Sequence, residues 1–102
     1  IPTVTTAFSG NTDFCTPETS YMVNGPLVPL SAEDYIFHEG QFWCDPNVEE
    51  AAEQMQRLVE HKRETARIAQ NAQDFIRQHY SPAAVGEAYR QRLRELRQAH
   101  LI

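Results

Sequence analysis

Apolar side chains fall with a helical period along the second half of the chain. Val48, Ala51, Ala52, Met55, Leu58 and Val59 line one stripe, which predicts an amphipathic helix. Asn47 is placed to cap it, with Glu50 at the position that reaches back in a capping box. Thr65, Ile68, Ala69, Ala72, Phe75, Ile76 and His79 keep the same period and predict a second helix. Ser81-Pro82 opens a third, with Ser as N-cap and Pro at the first helical position, where its missing N–H costs nothing. Tyr80 and Val85 sit where a hydrophobic staple would place them, and Val85, Tyr89, Leu93, Leu96 and His100 form the stripe of this last helix.

Before Asp45-Pro46 the pattern changes. Thr3–Ala7 is rich in β-branched residues and reads as a strand, closed by the turn cluster Ser9-Gly10-Asn11. Tyr21–Val23 is a second strand, closed by Asn24-Gly25. Leu27-Val28 is a third, held to a sheet edge by Pro26 and Pro29. Gln41–Cys44 is the last extended run. The fold class is therefore α/β, with a few short strands and loops over 1–46 and helices over 47–102. So few strands cannot cover the helices as a complete doubly wound sheet. Either they pair with strands from elsewhere, or the helices pack mainly on one another.

Composition is that of an ordinary globular chain, 41% hydrophobic and 23% charged. No apolar run approaches the roughly 20 residues of a membrane span, and nothing resembles a signal peptide. The opening Ile1-Pro2, without an initiating Met, suggests a segment of a longer protein. The net charge of −5 is unevenly spread: residues 1–50 hold eight acidic side chains and no Lys or Arg, whereas residues 51–102 hold six acidic and all nine basic ones. The basic residues alternate with Glu and Gln on helices and read as a solvated face, not as the concentrated patch of a nucleic-acid binder. Cys15 and Cys44 permit one disulfide without establishing it; reduced thiols suit a cytoplasmic protein better. The scattered His38, His61, His79 and His100 lack the clustering of a zinc site.

Four passages in order resemble the end of the second domain of retaining glycosyltransferases of the GT-B fold, in the bacterial family called group 1 or family 4. Ile1-Pro2-Thr3-Val4-Thr5-Thr6 is similar to that family's "G-x-P-V-V-A-T" strand, and Ser9 through Phe14 to its "G-G-x-x-E" turn. Tyr21 through Pro29 resembles an "N-x-x-L-V" segment. Tyr35 through Glu49 resembles a "Y-x-x-x-x-G-x-x-W-A-x-P-D-V" passage, with Cys44 where Ala is usual. The resemblance implies an incomplete Rossmann-like C-terminal half-domain that binds a nucleotide-diphosphate sugar against an N-terminal GT-B domain. It further implies transfer of the sugar to a glycan or lipid-linked acceptor, no cofactor, and a cytoplasmic enzyme, peripheral to the inner membrane at most. The family's "E-x7-E" motif would lie before Ile1, so the resemblance carries no catalytic carboxylate onto these residues, and the segment alone is expected to be inactive.

The candidate substrate-binding residues are Ser9, Gly10, Asn11 and Asp13, at the carboxyl end of a strand, where ligands bind in open α/β sheets. The plainer alternative is a strand-to-helix turn with Asn11 or Asp13 as a cap. Phe42 and Trp43 could stack on a sugar or base, although an anchor in the core is the commoner role. Glu33-Asp34 could begin a short helix. Arg90, Arg92, Arg94 and Arg97 could touch anionic lipid, but Glu95 interrupts them and packing within the molecule is preferred. From a different class of function, the chain could be a stand-alone helical interaction module that binds through exposed faces of its first two helices.

Overall fold

The computed structural model describes residues 1–102 as a mixed α/β chain of four short strands in two small sheets, followed by three helices. Strands β1 (Val4–Thr6) and β2 (Tyr21–Val23) pair in parallel, with Val4 opposite Tyr21 and Thr6 opposite Val23. Strands β3 (Leu27–Pro29) and β4 (Phe42–Cys44) form a separate antiparallel hairpin, with Val28 opposite Trp43. Helices α1 (Val48–Glu60), α2 (Lys62–Tyr80) and α3 (Pro82–Gln98) follow. The chain forms two compact units, Ile1–Ala72 and Gln73–Ile102, so the strand-to-helix junction near Pro46 falls inside the first.

In the first unit the core is small. Its buried apolar side chains are Cys15, Tyr21, Val23 and Ile68, joined by the polar Thr19 and Ser20. Helix α1 packs on β1 and β2. The Tyr21 hydroxyl lies 2.8 Å from Thr65 Oγ1, which itself donates to Leu58 O at 2.8 Å. Tyr21 is therefore the donor of the pair, and one relay joins β2, α1 and α2.

The apolar stripe of α1 divides in two. Ala51, Leu58 and the intervening Gln54 are partly covered, whereas Val48, Ala52, Met55 and Val59 form an exposed ridge. Both edges of the parallel pair lack a further strand. Parallel strands normally lie in sheets covered on both faces, and two strands alone are marginal.

His61 separates α1 from α2. Arg57 donates through Nε (2.9 Å) and Nη2 (2.6 Å) to the Glu64 carboxylate across this break. In the second unit Ser81 Oγ accepts from the Ala84 N–H at 3.2 Å, as the Ser-Pro start predicts. Tyr80 and Val85 line the same cleft, consistent with a staple. The rings of Phe75 and His79 sit with centroids 4.5 Å apart. His100 is not part of the α3 stripe: it lies past the helix end with φ of 55°, a left-handed residue of the kind that stops a helix. Glu87 accepts from both Arg90 and Arg94, and Glu95 from Arg92, so three of the four arginines are engaged within α3. No helix is long and apolar enough to cross a membrane.

Candidate functional site

Strand β1 ends at Thr6, and after Ala7-Phe8 the chain enters a tight 3-10 turn over Ser9–Asp13. Ser9 opens this turn with φ of 70°, in the left-handed region that non-glycine residues avoid. Such a conformation costs about 1–3 kcal/mol and persists only where its surroundings impose it. The turn is fastened from both sides. Asn11 Nδ2 donates to Thr5 Oγ1 at 2.9 Å and to Thr6 O at 2.7 Å, while the Ser9 carbonyl accepts from Thr12 Oγ1 at 2.6 Å.

The four candidate residues thus share one turn at the carboxyl edge of β1, but they play different parts. The Asn11 side chain points back onto β1 and holds the turn in place. Ser9 is exposed and strained. A Cβ on Gly10 would meet nothing within 4 Å, so its front is open space and no close backbone approach within this chain requires glycine there. Asp13 is exposed at the end of the turn.

Behind the turn, Thr19 Oγ1 donates to Phe14 O at 2.9 Å and accepts from the Thr16 N–H at 2.9 Å, which satisfies this buried hydroxyl. The Ala7 N–H donates to Val23 O at 2.9 Å, tying the carboxyl ends of β1 and β2 together.

Beyond β2 stands a clamp that the sequence reading missed. Asn47 caps α1 as expected, its Oδ1 accepting from the Glu50 N–H at 2.9 Å. Glu50, however, does not reach back to Asn47. Its carboxylate accepts instead from the Asn24 N–H and from Asn24 Nδ2, both at 2.9 Å, and the Asn47 N–H donates to Asn24 O at 2.8 Å. The capping box is shared with a residue 26 positions away. Asn24-Gly25 read locally as a turn, and nothing local signals its distant partner.

Two side-chain expectations are corrected. Phe42 and Trp43 are not core anchors: they are 52% and 45% exposed, because a lone hairpin has no second layer to bury either face. Glu33-Asp34 does not begin a helix. Asp34 Oδ2 accepts from the Ser31 N–H (2.8 Å) and hydroxyl (2.7 Å), closing a turn, and the Ser31 backbone bond above all holds the Asp34 carboxyl below the usual range. The hydrogen bond from Arg57 lowers Glu64 in the same way. Cys15 and Cys44 are free thiols, the first buried. No three or more His, Cys, Asp or Glu side chains converge as ligands for a metal.

No protein-family profile, curated protein or solved structure matches the chain.

Proposed function

We propose that this chain is part of the nucleotide-sugar-binding domain of a retaining GT-B glycosyltransferase, the C-terminal portion of a Rossmann-like half. One observation carries the reading: a parallel strand pair, open at both edges, bears a strained, externally fastened turn at its carboxyl end. Parallel pairing needs a crossover of about a dozen residues or more, and ligands of open α/β sheets bind outside the carboxyl ends of the strands. In this reading Ser9, Gly10 and Asp13 border the donor sugar, and Asn11 is a positioning residue. The cations that neutralise the diphosphate lie outside the first unit's strand region, since residues 1–50 contain no Lys or Arg. The acceptor half is supplied by an N-terminal partner domain.

The test is nucleotide release from UDP-, GDP- and ADP-sugars by the protein carrying this chain, with the anomeric configuration of the product read by NMR. Release with retention is expected. Failure with every donor, in folded protein offered glycan and lipid-linked acceptors, refutes the transferase reading. The 102-residue chain alone should bind nucleotide sugars weakly; micromolar affinity would show that the donor site is placed wrongly. The exposed Val48–Ala52–Met55–Val59 ridge also suits a helical interaction module, and the same assay separates that reading from this one.

A further inference from the structure

The edge of β2 that faces away from β1 has no neighbouring strand, yet it is stopped at both ends. Successive residues of a strand turn their backbone groups to opposite sides. The Tyr21 N–H donates to Thr3 O and Val23 O accepts from the Ala7 N–H, both at 2.9 Å, so Tyr21 and Val23 face β1 while Ser20, Met22 and Asn24 face outward. The Ser20 N–H is taken by Thr16 O at 2.8 Å, the Asn24 N–H by Glu50 Oε2 at 2.9 Å, and Asn24 O by the Asn47 N–H at 2.8 Å. What stays open is short: Ser20 O, and the N–H and C=O of Met22. A cleft of about 320 Å³ runs along this stretch, within the usual range of small-molecule sites, about 300–1,000 Å³. Beside β2 it is walled by Glu50, Gln54 and Arg57, which share one face of α1, and by Glu64 and Ile68 of α2. Gln54 stands where the covered stripe between Ala51 and Leu58 would take an apolar residue, and its Oε1 is buried without a donor. A carbonyl in that state has given up water and gained nothing in return.

We propose that this cleft binds a monovalent organic cation, a guanidinium or primary ammonium on an aliphatic stem. The inventory of the wall sets the class. Acceptors prevail: Gln54 Oε1, Ser20 O and Met22 O have no donor, and the carboxylates of Glu50 and Glu64 keep lone pairs beyond those that Asn24 and Arg57 fill. Rotation about the terminal torsion of Gln54, a broad two-fold well, swings Oε1 to a cation seated beside it. Two carboxylates against the one guanidinium of Arg57 leave a single negative charge at the wall. The surrounding unit, Ile1–Ala72, holds eleven acidic side chains and four basic ones, which disfavours phosphates and carboxylates as ligands. Pro17, Met22 and Ile68 supply apolar surface for the stem. The outward N–H and C=O of Met22 match the backbone of one residue in an extended peptide. An Arg or Lys side chain on such a peptide therefore suits the cleft as well as a free amine does. None of these residues belongs to the donor turn, so the cation site stands or falls apart from the transferase reading.

The experiment titrates the full chain with ethylguanidinium and butylammonium, following backbone amide resonances by NMR. Shifts should centre on Met22 and Gln54. Gln54→Leu continues the covered apolar stripe of α1, so its urea midpoint should hold or rise while cation affinity falls about tenfold, the loss of one hydrogen bond to a charged group. Glu64→Gln, which removes the net charge of the wall, should weaken binding by a similar factor. Absence of shifts at these residues with both cations overturns the proposal. So does a lowered urea midpoint in Gln54→Leu with wild-type affinity, which would make Gln54 a structural residue. The peptides Ac-Val-Arg-Val-NH2 and Ac-Val-norleucine-Val-NH2 separate the sources. Tighter binding of the Arg peptide than of ethylguanidinium supports a peptide side chain as the occupant, and equal binding supports a free cation. Equal affinity for the Arg and norleucine peptides would mark a neutral strand-pairing edge and overturn the cation site.

Discussion

Among the glycines of the first unit, Gly25 is the one where an added Cβ meets backbone at closest range, so Gly25→Ala is the most disruptive Gly→Ala change there. A Cβ at residue 25 would collide with the Asp45 carbonyl oxygen and lie 2.7 Å from its carbon and 2.9 Å from Pro46 Cα. All three are backbone atoms, so no side chain can rotate away. Relief requires the hairpin root to move from the start of α1, which opens the bonds from Asp45 N–H to Pro26 O and from Asn47 N–H to Asn24 O. Overpacking costs about 1–3 kcal/mol, and each bond lost adds about 0.5–1.5 kcal/mol. An expected loss of about 2–6 kcal/mol follows, a large share of the 5–15 kcal/mol typical of a folded domain. Urea unfolding by circular dichroism measures it as a fall in midpoint at unchanged slope. Gly10→Ala is the control: with open space around it and an unexceptional φ, it should stay within about 0.5 kcal/mol of wild type. A Gly25→Ala protein as stable as the Gly10→Ala control would refute the close approach of hairpin and helix.

Two further changes probe the turn and the helix junction. Ser9→Gly removes a left-handed strain of about 1–3 kcal/mol against a glycine entropy cost of about 0.5–1 kcal/mol. It should raise the urea midpoint modestly, and a lowered midpoint would contradict the strain. Arg57→Met tests acid sensitivity. Arg57 holds the folded-state pKa of Glu64 below its unfolded value, so the pair stabilises the fold above the unfolded carboxylate pKa, about 4.3, and that contribution is lost as pH falls through the lower folded value. The substitution should flatten the fall of thermal midpoint with acidification over that window; an unchanged acid limb would show that the pair contributes nothing measurable.

Helix positions were legible wherever the signal was local. Asn47, Ser81 and Pro82 mark their helix starts by chemistry within a few residues, and the breaks at His61 and Ser81 follow the periodic apolar positions. The short strands were legible as extended, β-branched or aromatic runs, but their partners were not. Whether β1 takes β2 in parallel, and β3 takes β4 in place of either, depends on backbone ladders between distant residues. The α1 stripe shows the same limit: its width is visible in the sequence, while the division into a covered and an open half is set by what packs beside it. In the candidate site the turn itself was visible, but not that Asn11 is turned inward. An Asn in a Ser-Gly-Asn cluster suits a ligand contact or an internal lock equally, and the Thr5 hydroxyl decides between them.

Because Asn24 and Asn47 are fastened to one another and to the first turn of α1, the segment between them behaves as an exchangeable head on a fixed collar. The collar closes the loop once, and each doubling of the length beyond it adds only about 0.6 kcal/mol of closure entropy. Stretches of different length and composition can therefore be grafted between Pro26 and Asp45 while the parallel pair and the helix beneath keep their places, provided glycine stays at position 25.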